Sequence, residues 1–287
     1  MEMNNVSIHS NLKTKKVMAK IIIYVLLIVL SCIFLLPFAW MLLTSFKSFQ
    51  EIYQYPPTIL PSEAVFDNYY LAVTKMPFLR YLSNTVVITV LSVVGTVISS
   101  SMVAYSMSKI KWKGSRYLFP LIIGTMMIPT QVTMIPLYLV FSKLNMVGTI
   151  VPLVLPKFLG DAYYIFLLRQ FFKTIPDSLV ESATIDGAKD FTIFTKIILP
   201  LCKPAMTSVA IFTFLYTWSD FMGPLLYLNK DEQYTLSLGL QAFMQSHFVE
   251  WGPMMAASAI FTVPIIIIFF FAQSYFIEGI TVTGIKG

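Results

Sequence analysis

The run from Ile21 to Leu43, IIIYVLLIVLSCIFLLPFAWMLL, holds 23 consecutive uncharged residues. A helix needs about 20 such residues to cross a hydrocarbon core roughly 30 Å thick, so this run is a membrane span. Lys13, Lys15, Lys16 and Lys20 precede it, as they would a signal peptide. The apolar stretch is too long for a signal h-region, however, and TSFKSF follows instead of a small-x-small cleavage site. It is expected to be retained. Further uncharged runs cover 81–108, 117–142 and 251–277; two more, 144–172 and 205–229, are interrupted by isolated charges. The spans expected are 21–43, 81–107, 117–142, 150–172, 205–227 and 253–277. Composition agrees, with 57% hydrophobic and 12% charged residues against about 25% charged in a soluble domain. Disorder and a disulfide framework are excluded, since 24 Phe, 15 Tyr and 16 Met cannot stay solvated and the only cysteines are Cys32 and Cys202.

A transmembrane barrel would alternate in polarity, and IIIIFFFA at 265–272 does not. The fold expected is therefore all-α, a six-helix membrane bundle. Orientation follows from Lys and Arg. Thirteen fall on the side of the termini, among them Lys109, Lys111, Lys113, Lys189 and Lys203. Five fall on the other, while Lys157 and Arg169 lie inside a span. Both termini are expected in the cytoplasm: residues 1–20 as a tail, 44–80 as an outer loop, 173–204 as a cytoplasmic segment and 278–287 as a second tail. The net charge of +6 is accounted for by this asymmetry, so no nucleic-acid partner is implied.

The outer loop carries Pro56, Pro57 and Pro61, with Tyr53, Tyr55, Phe66, Tyr69 and Tyr70. It reads equally as an ordered cap or as a docking surface for an external protein. The segment KTIPDSLVESATIDGAKDFTIFTKIILPLCKP at 173–204 is far longer than the two to eight residues most helix connections need. Ser178-x-x-Glu181 reads as a capping box opening a short helix from Leu179 to Asp186. Gly187 supplies a left-handed end. Asp190 then caps a second helix with an apolar stripe of Phe191, Phe194, Ile197 and Ile198 leading to Pro200.

Glu181-Ser182-Ala183-x-x-x-Gly187, nine residues, then Ile197-x-Leu199-Pro200 resembles the EAA signature of the permeases of ABC importers, with serine at one customary alanine. MMIPTQVTMIPLYL, FLLRQFF, WSDFMGPLLYL, YTLSLGL and the tail TVTGIKG are similar to the carbohydrate branch, and within it to the smaller permease subunit of maltose-type systems. The resemblance implies a type I importer fold in a bacterial inner membrane, carrying a sugar. The implied partners are a second permease subunit, an ABC ATPase dimer and an extracytoplasmic sugar-binding protein. It places ATPase coupling on Leu179, Glu181, Ser182, Ala183, Ile185, Asp186 and Gly187, and a further ATPase contact on Thr283, Gly284, Lys286 and Gly287. No cofactor is expected on this chain, ATP and Mg being held by the ATPase. The residues agree independently, because no G-x-x-x-x-G-K-[ST] phosphate loop occurs.

Within the spans, Lys157 and Asp161 are spaced to share a helix face. They read either as translocation-path residues or as a structural pair near the outer interface. Asp220 follows Trp218, a residue type of the interfacial belt. Pro129 and Pro136 break the third span and make Gln131 a path candidate. Gly95 and Ser99 read as a helix-packing pair. His9 and His247 are the only histidines and make no zinc site. An intramembrane enzyme lacks its nucleophile or metal. A secondary transporter running on an ion gradient is the alternative, although neither paired midplane acids nor an inverted repeat is evident.

Overall fold

The computed structural model describes backbone for residues 2–244 and 248–284, and side chains for 16–244 and 248–273. Among these the chain is helical, its only sheet-like pairing being an isolated bridge between Met244 and Val249. Two compact units form, residues 1–72 with 243–260 and residues 73–242 with 261–287.

In the first unit, α1 runs from Glu2 to Ser45, so the expected tail and first span are one helix. Side chains from Lys16 to Pro37 are exposed, an apolar surface left for lipid or another chain. The loop after it is ordered. α2 (Phe49–Ile52) is capped by the Ser48 hydroxyl, which accepts from the Glu51 amide. α3 (Asp67–Thr74) follows, and its Asn68 amide donates to the carbonyls of Ser45 (2.9 Å) and Lys47 (2.8 Å). These bonds supply the acceptors' missing partners just past the end of α1.

The second unit is built on α4 (Phe78–Ser108), about 46 Å long at 1.5 Å per residue and so long enough to cross a bilayer. α8 (Ala162–Thr174) and α12 (Lys203–Trp218) pack against it. Among the described residues, four helical stretches are long and apolar enough to span without pairing: residues 16–45, 78–108, 151–174 and 251–273. Two further candidates are bent pairs. α5 (Ser115–Thr125) and α6 (Thr130–Lys143) meet at 101°, with Pro129 at the break. Proline has no amide to give and disfavours helical geometry in the residue before it. The break expected in the third span is thus present at Pro129, whereas Pro136 lies inside α6 without ending it. The stretch from Asp190 to Leu201 meets α12 at 81°, giving six spans if each pair crosses once.

The fourth span is also composite. α7 (Val151–Val154) passes into a 3-10 turn, Leu155–Leu159, and Gly160 at φ 91° separates that turn from α8. α13 (Met222–Tyr227) and α14 (Leu236–Gly239) complete the unit's short helices, and α15 runs from Trp251 to Gly284.

Candidate functional site

The knuckle between α8 and α12 begins with α9, Asp177–Ile185. The expected capping box does not form: Pro176 occupies the cap position without a side-chain bond, and Ser178 lies inside the first turn. Proline presets the entry, and the first helical residue, Asp177, is held from outside the helix. Lys109, at the end of α4, donates to the Asp177 carboxylate at 2.6 Å and to the Ile175 carbonyl at 2.6 Å. That hydrogen bond, reinforced by the Lys109 charge, lowers the Asp177 carboxyl below its ordinary value.

The far end matches expectation. Gly187 has φ 82°, its amide donates to the Thr184 carbonyl at 3.0 Å, and the Ala188 amide reaches back to Ala183 at 2.9 Å. This is a Schellman end, which needs a left-handed residue. The next stretch starts at α10 (Asp190–Ile193), with Asp190 as its first helical residue rather than its cap. It continues through a π turn, Phe194–Ile198, into α11 (Leu199–Leu201). The ring of Pro200 would collide with the carbonyl four residues back, and a wider turn relieves that collision. The expected stripe is kept in part, with Ile197 packed against the core as well. Ile193, Phe194 and Ile198 are buried, whereas Phe191 is exposed.

These buried residues join Ala104, Tyr105, Leu168, Phe172, Ala205 and Val209 in one core, against which Val180, Ala183 and Ala188 pack. α9 is thus seated by one face only. Leu179, Glu181, Ser182, Ile185, Asp186 and Gly187 all point outward, and Ile185 is 85% exposed. Of the seven residues singled out in the sequence, Ala183 alone is turned half into the bundle. Phe191 was missed as a member of the exposed set because its sequence period placed it on the buried stripe.

The intramembrane candidates do not assemble as one group. Lys157 and Asp161 are not a helical pair, because Gly160 breaks the helix between them. Asp161 instead caps α8, its carboxylate accepting from the amides of Tyr163 (3.0 Å) and Tyr164 (3.4 Å). Lys157 lies 4.8 Å from the centre of the Tyr216 ring and shares a small cavity with Asp220, Thr85, Thr217 and Thr235. Asp220 also accepts from the Gly223 amide at 3.0 Å. Gln131 stands apart, exposed in the first turn of α6. Trp218 is 3% exposed, its indole donating to the Phe261 carbonyl at 3.2 Å. Gly95 and Ser99 do serve packing: the Phe158 ring fills the space over Gly95, and the Ser99 hydroxyl donates to the Lys157 carbonyl at 3.0 Å. Lys286 and Gly287 lie outside the described residues, as do His247 and the side chains of Thr283 and His9. Gly284 is the last residue of α15.

Residues 95–282 match the family described as binding-protein-dependent transport system inner membrane component. The chain belongs to that family. It is 33% identical over 254 residues to an arabinooligosaccharides transport system permease protein, AraQ, of Halalkalibacterium halodurans, covering 88% of this chain and 91% of that one. It is 33% identical to AmyC of Thermoanaerobacterium thermosulfurigenes, a probable starch degradation products transport system permease protein, covering 90% of this chain and 94% of that one. The fold matches a chain in the crystal structure of a bacterial ABC transporter involved in importing the acidic polysaccharide alginate. That match has TM-score 0.80 and 25% identity, covering 89% of this chain and 95% of that one. The binding-protein-dependent transport component is accordingly an all-helical, multi-pass membrane protein of the ABC importer permease class.

Proposed function

We propose that this chain is one half of the translocation channel of an ATP-driven oligosaccharide importer. The other half is a second permease subunit, and an extracytoplasmic sugar-binding protein delivers the substrate. The sugar assignment draws on two relatives: AraQ, named as a permease protein for arabinooligosaccharides, and AmyC, named as a probable one for starch degradation products. A solved alginate transporter in complex with a pentasaccharide-bound periplasmic protein has the same fold, with TM-score 0.66 and 16% identity. ATP and Mg belong to a partner ATPase dimer, and both termini of this chain face the cytoplasm with it.

The observation carrying this reading is the one-sided seating of α9. Its inner face is fixed to the core, while Leu179, Glu181, Ser182, Ile185 and Asp186 are presented outward. An 85% exposed isoleucine beside two carboxylates has no use within this chain, and it suits burial in a cleft of the ATPase. Closure of the ATPase dimer then tilts α9 and, through its core contacts, moves α8 and α12 as rigid elements. Gly187 permits the sharp exit, and the tail carrying Thr283, Gly284, Lys286 and Gly287 adds a second contact.

The test is a mild-detergent pull-down of the tagged chain with mass spectrometry, using Ile185→Glu as the variant. Copurification of an ABC ATPase and a second permease, with loss of only the ATPase in the variant, is the expected result. A chain that purifies alone and transports by itself would instead fit a carrier driven by an ion gradient.

A further inference from the structure

Arg169 is a charge inside the fourth span that the coupling mechanism does not use. It stands five residues before Thr174, the last residue of α8, and so about 7.5 Å from that end. Two contacts fix its half-buried guanidinium. Nε donates to the Met107 carbonyl in the last turn of α4 at 3.0 Å, and the guanidinium carbon lies 3.7 Å from the centre of the Phe119 ring on α5. The two terminal nitrogens remain. Among the described residues they have no hydrogen-bond or ion-pair partner. A charge within a span is normally paired, yet no acid occurs between Asp67 and Asp161 or within α8. The neighbour is instead a second cation. Arg116, in the first turn of α5, is three residues before Phe119 and shares its face of the helix. It is exposed and has no ion pair, and Lys111 and Lys113 are exposed in the loop just before it.

We propose that Arg169 and Arg116 bind the phosphate of an anionic phospholipid, in the leaflet at the end of the bundle that carries α9. Three features select this ligand. A guanidinium whose terminal nitrogens are free presents the fork of donors that matches phosphate oxygens, and the stacking on Phe119 holds that fork in place. The cations run directly into apolar surface. Tyr117 is 72% exposed and Leu121 67%, four residues apart on one face of α5, which gives an acyl chain its contact beside the headgroup. Trp112, half-exposed with its indole donating to the Ser106 carbonyl at 3.1 Å, marks the same level as a membrane interface. A soluble anion or an acidic protein surface would leave that apolar face unused. Finally, a zwitterionic headgroup would bring an ammonium to a cluster of like charges, so the headgroup is a net anion. Met107 is two residues before the Lys109 that holds Asp177, so the lipid braces the turn of α4 that carries the knuckle. The site requires a membrane protein and does not depend on the sugar reading.

The full transporter in mild detergent is titrated with phosphatidylglycerol or phosphatidylcholine, and bound lipid is read by native mass spectrometry. A saturable phosphatidylglycerol adduct is expected, with half-saturation raised about five-fold in Arg116→Gln, the loss of one basic contact. Arg169→Gln should raise it at least as much. Arg169→Lys keeps the charge but not the fork, and half-saturation should rise there too. Lys143→Gln, at the far end of the same broken span, should bind like the parent. Arg116 is exposed, so its variant decides the matter even if Arg169→Gln fails to assemble. Unchanged half-saturation in Arg116→Gln, or phosphatidylcholine bound as tightly as phosphatidylglycerol, overturns the proposal. Displacement of the lipid by inorganic phosphate would assign the arginines to a soluble anion and overturn it as well.

Discussion

The Lys109 ammonium, its side chain 2% exposed, sits 2.6 Å from Oδ1 of Asp177, whose side chain is 74% exposed. One lysine thereby ties the end of α4 to the first residue of α9, and it satisfies the Ile175 carbonyl in the same grip. A cation at the C-terminal end of α4 is also favoured by the helix dipole. Position of the knuckle is thus set by a charge contact at its entry as well as by the apolar core beneath it.

Asp177→Asn should lower stability by about 1 kcal/mol, a modest amount because the carboxylate faces solvent. The carboxyl is held below its ordinary value in the folded protein, so its contribution is complete above the unfolded value near pH 4 and is lost as pH falls through the folded one. Melting curves of parent and variant should therefore converge on acidification below about pH 4. Curves that stay equally separated there would remove the assignment.

At Gly187 a β-branched residue meets no neighbouring atom, so any penalty is purely conformational. Gly187→Val forces a left-handed backbone that costs about 1–2 kcal/mol. The expected outcome is normal membrane insertion, faster amide exchange over 184–190 and reduced uptake. Unchanged uptake would separate the turn from coupling.

Asp161 and Asp220 should respond differently to neutralisation. Asp161 caps α8, and asparagine caps as well as aspartate, so Asp161→Asn should leave stability within about 0.5 kcal/mol while Asp161→Ala costs about 1 kcal/mol. Asp220 shares its cavity with Lys157, and Asp220→Asn leaves that ammonium without its neighbouring charge. Uptake and melting temperature should fall together in Asp220→Asn and recover in part when Lys157→Met is added.

A Cβ at Gly95 would lie 2.6 Å from the Phe158 ring. Gly95→Ala should cost about 1–3 kcal/mol through overpacking. Adding Phe158→Leu should return part of it, and a double-mutant cycle that is strictly additive would deny the contact.

The long apolar runs were sufficient to show a multi-pass helical membrane protein, because a bilayer demands about 20 apolar residues and internally paired backbone wherever a chain crosses it. The fifth span, expected over 205–227, is instead a helix that ends at Trp218 and is bent against 190–201. The knuckle's Gly187 end was legible for a similar local reason, since only the backbone of that residue is involved. Other features did not follow from residue spacing, some for local reasons and some because of neighbours distant in sequence. Asp161 acts as a cap and not as a partner of Lys157, because Gly160 takes φ 91° between them. The start of α9 depends on Lys109, 68 positions away, and not on the adjacent Ser178 and Glu181. Of the stripe on 190–201, Phe194, Ile197 and Ile198 lie on the core as expected, while Phe191 is exposed and Ile193 is buried in its place. Trp218 is buried because Phe261 supplies the acceptor its indole needs.

What the sequence determined by itself was set by the solvent and by single-residue conformational limits: the membrane class, the break at Pro129 and the glycine turn. Only the tertiary structure decided which polar groups meet and which face of α9 is left open. Those outcomes rest on contacts across tens to hundreds of residues, and side-chain spacing along the chain carries no measure of such distances.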